Sequence, residues 1–304
     1  MRIGVALAER SGLDALERLT KEVRQAAADG LSSIWIPNGA GMDMLTALAV
    51  IGTRVPGIEL VPAVVPTYPR HPATLAQQAR TTAFALGPGR LTLGIGASHK
   101  IVVESAYGYD FDRPIRHMEE YLSVLVPLLE GESVSFRGET VRAQIALSVP
   151  NPERVPLLVA ALGPKMLKLA GERADGTVLW MTGPRTVCDH IVPTINVAAE
   201  TAGRARPRVV CMLPMAVTDD VKGARKRAGE IFEAYGTLPS YRAMMDREGV
   251  EGPADLAIVG NEQDAREALE QLAAAGVTDF VAGEFMRGED GARTREFLKT
   301  FSNS

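Results

Sequence analysis

Near neutral pH the side chain best suited to exchange a proton is imidazole, which makes His99 the first residue to weigh as a catalytic donor or acceptor. It closes the run Leu93-Gly94-Ile95-Gly96-Ala97-Ser98-His99, in which two glycines let a ligand approach the backbone. A lone histidine is also commonly a hydrogen-bonded structural residue. The other three offer less: His71 precedes Pro72 and reads as a helix cap, while His117 and His190 fall inside helical patterns. A second segment, Ala160-Ala161-Leu162-Gly163-Pro164-Lys165, has the makings of an anion cradle. Gly163 admits a close approach, Pro164 suits a first helical position, and the free amides of the opening turn together with Lys165 favour a phosphate. A plain helix start with a solvated lysine would use the same residues. The third segment is Val61-Pro62-Ala63-Val64-Val65-Pro66, whose prolines cannot donate to a strand ladder and so mark a bulge or a strand end.

Several chemistries are excluded. No two histidines stand at metal-ligand spacing, so no metal is expected, and no nucleophile elbow precedes an Asp/His pair. The third glycine of a dinucleotide fingerprint begun at Gly94 is replaced by His99. Cys188 and Cys211 make no disulfide framework, which suits a reducing cytoplasm. The net charge of −4 is spread without basic blocks, so neither nucleic acid nor an anionic membrane is an expected partner. No run reaches the ~18 apolar residues of a membrane span, and the start MRIGVALAER is too short in apolar residues for a secretory signal. A cytoplasmic enzyme acting on a small molecule is the expectation.

Parallel strands alternating with crossover helices would position these segments. Apolar runs at 3–7, 34–37, 59–65, 91–95, 155–160, 177–181, 208–216 and 279–282 alternate with helical patterns at 13–28, 45–52, 72–84, 116–130, 164–174, 185–202, 221–235 and 291–301. Eight strands in this order predict an α/β fold of the (β/α)₈ barrel type, a single domain over 1–304. Insertions are expected at about 97–115, 131–154 and 236–260, with 134–149 as a hairpin. In 236–260, Tyr241, Met244 and Met245 at helical spacing fit either a lid or a packing extension. In such barrels the active site lies just after the strands. That adds Pro37-Asn38-Gly39 and Trp180-Met181-Thr182 to the three segments above.

The run Ala63-Val64-Val65-Pro66-Thr67-Tyr68-Pro69-Arg70-His71-Pro72-Ala73-Thr74-Leu75-Ala76-Gln77-Gln78 resembles the strand-three region of luciferase-like monooxygenases and F420-dependent reductases. The likeness extends through Leu93-Gly94-Ile95-Gly96, Phe111-Asp112-Arg113-Pro114, Met118-Glu119-Glu120-Tyr121-Leu122, Phe136-Arg137-Gly138-Glu139 and Gly171 to Gly176, in family order. The resemblance implies a barrel, a homodimer, and a cofactor ring backed by a non-prolyl cis peptide, which by position joins Pro62 to Ala63. It implies that Pro62, Ala63, Val64, Gly94, Gly96, Ala97 and Ser98 surround the ring. Ala161, Leu162, Gly163, Pro164 and Lys165 then take the cofactor phosphate, and Trp180 and Met181 stand at the phosphate or ring wall. Sugar-phosphate dehydrogenases of the family carry a histidine after strand two and a glutamate after strand four. Asn38 and Ala97-Ser98 stand there instead, which argues against that substrate and leaves Asn38 as a second catalytic candidate beside His99. The Ala/Arg-rich composition favours coenzyme F420 over FMN. The expected activity is hydride transfer, with an FMN monooxygenase and a non-catalytic cofactor-binding barrel as alternatives.

Overall fold

The computed structural model describes residues 1–150 and 153–303. Residues 151–152 of the expected insertion at 131–154, and position 304, lie outside the described residues.

Eight parallel strands form the ring that the alternation predicts. In chain order they are Arg2–Ala6, Ser33–Ile36, Glu59–Pro62, Leu93–Gly96, Leu157–Ala160, Gly176–Trp180, Arg208–Val217 and Asp279–Glu284. Each pairs with the next in sequence, and strand eight returns to strand one through Arg2 opposite Asp279. Strand three meets strand four in two places: a bridge from Leu60 to Leu91, then the short piece Val65–Pro66 beside Ile95 and Gly96. Ala63 and Val64 lie between those contacts as a bulge, where Pro62 has no amide to donate.

Helices surround the ring because each connecting segment has one apolar face. Helix Ala15–Ala28 buries Leu19 and Val23, and helix Pro114–Glu130 buries Tyr121, Leu125 and Leu128 against the strands. A large cluster lies between strands and helices, a smaller one inside the ring includes Trp35, Val61, Val210 and Val281, and a third gathers Ala216, Ala224, Ala228, Ala257 and Val259. Gly4 makes room for the inner layer: a Cβ there would stand 2.4 Å from Ser33 Oγ, which accepts from the Trp35 indole at 2.8 Å.

The expected insertions have definite structure. Segment 97–115 contains a helix at Lys100–Ser105, and the hairpin pairs Val134–Arg137 with Arg142–Ile145. Segment 236–260 holds helix Pro239–Glu248, fixed by Met244 and Met245 in the core and by the Glu248 carboxylate, which accepts from the amides of Arg185 and Thr186. Two elements escape the pattern: a short strand Ile258–Gly260 against strand seven, and helix Glu262–Ala274, which leads into strand eight. Its capping box, Asn261 with Asp264, was the available signal. The expected helix at 185–202 is broken by a π-helical turn at Val187–Ile191, immediately before Pro193 removes a backbone donor.

Candidate functional site

A cavity of about 420 Å³ opens at the C-terminal ends of the strands. Ala6, Ala63, Val64, Ala160, Val178 and Met212 are its apolar walls, so five strands contribute small or slender side chains to one space. Around the mouth stand Phe111, Trp180, Tyr235 and Tyr241. The rings of His99 and Tyr241 lie 5.5 Å apart and join the loop after strand four to helix Pro239–Glu248. Tyr235 meets Tyr241 and Trp180 edge-on at 5.3 and 5.7 Å.

The bulge of strand three carries a non-prolyl cis peptide between Ala63 and Val64. The expected position, between Pro62 and Ala63, is therefore one residue too early. Pro62 still ends the regular ladder, pairing with Ile36, so the departure begins after it. The glycines of strand four serve this bulge first. A Cβ on Gly94 would stand 2.4 Å from Pro62 O, and one on Gly96 would stand 2.8 Å from Val64 Cγ2 and 3.2 Å from Ala160 Cβ. Gly96 also lines the cavity, whereas Gly94 lies behind the bulge.

Ala97, Ser98 and His99 follow into the lining. His99 has no side-chain hydrogen bond among the described residues, and burial lowers its pKa below the ordinary imidazole value. A neutral ring with an unused nitrogen can take a proton. Asn38 is otherwise engaged: its Oδ1 accepts from Met44 N at 2.9 Å, and Pro37, not Asn38, reaches the cavity. His71 accepts from Ala73 N as a cap, and His190 contacts Leu162 O at 2.8 Å. His117, stacked on Tyr68 at 4.0 Å and touching Thr67 Oγ1, is pushed down to about 4 by burial, which outweighs the nearby Glu120.

On the strand-five side, Ala161, Leu162 and Gly163 line the cavity and helix Pro164–Arg173 starts there. No side chain caps that helix, nothing lies within 4 Å of where a Gly163 Cβ would be, and Lys165 is exposed beside it. The opening amides are therefore open to an anion. Trp180 lines the wall with its indole Nε1 buried. The two non-glycine residues of positive φ among the described residues are Ser98 at 64° and Met181 at 52°, both at strand ends around this cavity. Left-handed backbone in non-glycine residues concentrates at ligand sites, where neighbours hold it in place. Met181 itself is buried behind Trp180, outside the lining. An uncapped helix start, a glycine with open space above it and small-residue walls fit a flat ring with a phosphate tail.

Sequence reasoning missed the wall supplied by Phe111, Pro114, Met166, Met212, Tyr235 and Ser240. The aromatic content of the segments after strands four and seven was the signal. It missed, too, what Glu120 does. Its carboxylate is buried and accepts from Glu139 N, Thr140 N, Thr140 Oγ1 and Val141 N, tying the hairpin turn to the helix. Gly138 is there because a Cβ would stand 2.4 Å from that carboxylate. In the loop at 97–115, the exposed carboxylates of Glu104, Asp110 and Asp112 come within 4.8 Å of one another.

A closed parallel barrel with a cavity at its strand ends, a bulge in its floor and an anion-ready helix start is the architecture of a cofactor-binding barrel enzyme. Residues 1–279 match the family model described as luciferase-like monooxygenase. The chain belongs to the luciferase-like monooxygenase family. It is 28% identical over 296 residues to the 5,10-methylenetetrahydromethanopterin reductase of Archaeoglobus fulgidus, covering 86% of this chain and 87% of that one. With the F420-dependent glucose-6-phosphate dehydrogenase of Nakamurella multipartita it shares 29% over 222 residues, 71% of this chain and 63% of that protein. The structure of the coenzyme F420-dependent tetrahydromethanopterin reductase from Methanopyrus kandleri superposes with a TM-score of 0.82 at 21% identity, over 98% of this chain and 97% of that one. Among the described residues, no helix is long and apolar enough to cross a membrane.

Proposed function

We propose that this chain is an F420-dependent oxidoreductase that moves a hydride between the deazaflavin and a small organic substrate. The observation that carries the reading is one apolar cavity holding the strand-three bulge, the unpartnered His99 and the open helix start at Gly163. The likeness to relatives named as F420-dependent and as a reductase supports it. Bound there, the deazaflavin supplies a two-electron hydride donor or acceptor. Ala63 and Val64 would back its ring, and the amides of Lys165 and Met166, with the Lys165 ammonium, would hold its phosphate. Trp180 and Leu162 would keep water from the ring. When an alcohol is oxidised its carbon gives up the hydride, and His99 takes the hydroxyl proton as the C=O bond forms. Reduction reverses each transfer.

Fluorescence titration with F420 and separately with FMN tests this directly. Saturation by F420 in the micromolar range is expected, and an FMN-only response overturns the reading. The second reading, an FMN-dependent monooxygenase, is favoured by the description of the matching family model. Oxygen consumption with reduced FMN and substrate distinguishes it.

A further inference from the structure

Resting on the oxidoreductase reading, we infer that the substrate part of this cavity selects an uncharged, ring-bearing molecule with a single carbonyl or carbinol oxygen at its reacting carbon, and turns away phosphorylated and carboxylated compounds. Among the described residues, no lysine, arginine, aspartate or glutamate lines the cavity. Its ionisable groups are His99, Tyr235 and Tyr241. Phenols are neutral at pH 7, burial pushes Tyr241 up further, and burial favours the neutral form of His99.

Neighbouring cations do not reach in. Arg113 pairs with Glu139 at 2.5 Å, Lys100 faces Glu104 at 3.6 Å, and Lys165 is exposed at the helix start outside the lining. An anionic group drawn into this space would lose its hydration without gaining a counter-charge, which is costly. The turn at Gly163 does not change this, because the cofactor's own phosphate would occupy it.

What the wall offers is aromatic surface. Phe111 comes from the loop after strand four, Trp180 ends strand six, and Tyr235 and Tyr241 come from the helical segment between strands seven and eight. Faces and edges contributed from three segments suit a flat ring system, for which aromatic contacts add to simple burial. One titratable base, His99, matches one proton exchanged at one oxygen. In the oxidising direction the carbinol C–H bond breaks and its hydride goes to the deazaflavin. The O–H proton goes to His99, and the O–H electron pair becomes the second bond of C=O.

Equilibrium dialysis of the full chain, with and without F420, against 2-acetylnaphthalene and 6-acetyl-2-naphthoic acid tests the inference. The uncharged ketone is expected to bind at least about tenfold more tightly than its carboxylate twin, a ratio set by the lost hydration. Equal affinities, or tighter binding of the acid, overturn it, as does failure of both to bind the F420-loaded chain. Phe111→Lys places a cation on the wall and is expected to raise affinity for the acid; no gain also counts against the inference. F420 binding without discrimination sinks this inference alone. Discrimination without F420 binding sinks the cofactor assignment and leaves the character of the wall standing.

Discussion

At the scale of single residues, His99 and Glu120 show how the same physics gives two roles. His99 is half-buried beside Tyr241 without a hydrogen-bond partner, so its proton affinity is free to serve substrate. His99→Ala is expected to lower turnover by about a hundredfold while F420 affinity stays within about twofold, as removal of a general base does. Because burial lowers its pKa, the active neutral form persists to lower pH than in a free imidazole. The oxidation rate should therefore rise with pH through a limb lying below 6.5 and be flat above it. A limb above 6.5, or none, removes His99 from the proton step. Glu120 does the reverse, spending its charge on structure. Burial alone would raise its pKa, but the donors of Glu139, Thr140 and Val141 bring it down to about 2. With the folded value depressed, the stabilisation is fully present above the unfolded carboxylate value of 4.5 and is lost as pH falls toward 2. Glu120→Gln should cost about 1–3 kcal/mol at pH 7, read as a shift in urea midpoint, and the gap to wild type should shrink at pH 3.

At the scale of elements, strands three and four are one device. The bulge at Ala63 and Val64 projects where Gly94 and Gly96 have no side chains. Gly94→Ala meets a backbone oxygen and should destabilise by about 2 kcal/mol with no remedy from side-chain changes. Gly96→Ala meets Val64 Cγ2, so adding Val64→Ala should recover part of the loss. Thermal unfolding of the two single and one double variants measures that coupling; purely additive losses would show that the glycines serve something other than the bulge. Within 236–260, Met244 and Met245 are buried and Glu248 accepts from Thr186 N, while Ser240 and Tyr241 line the cavity.

At the scale of the whole molecule, the barrel divides stability from function along its axis. At the N-terminal ends of the strands, Arg208 Nη1 meets Glu59 at 2.9 Å and its Nη2 meets Asp279 at 2.7 Å, with Arg2 on the same carboxylates. Burial opposes the charge on Glu59, yet hydrogen bonding to Arg208 holds its pKa below the usual value. Arg208→Met would leave two buried carboxylates with the half-exposed Arg2 as their remaining cation and should cost about 3 kcal/mol. Since the cavity lies at the opposite strand ends, F420 affinity of the folded fraction should not change; a large loss of affinity would show that the two ends are coupled.

Strand count and order, the crossover helices, the hairpin and the strand-three bulge were legible in the chain itself, because periodicity and proline placement act locally. So were His99, Gly163 and Trp180 as strand-end residues. Asn38 was placed correctly after strand two, but only the structure shows its side chain turned to Met44 N. The cis bond after Ala63, the use of Gly94 and Gly96 by Val64, and the Glu120 clasp depend on atoms brought together from distant parts of the chain. The absence of charge from the cavity wall is of the same kind. A sequence with 33 basic and 37 acidic residues does not say which of them face a ligand, and that is decided when eight strand ends converge on one space.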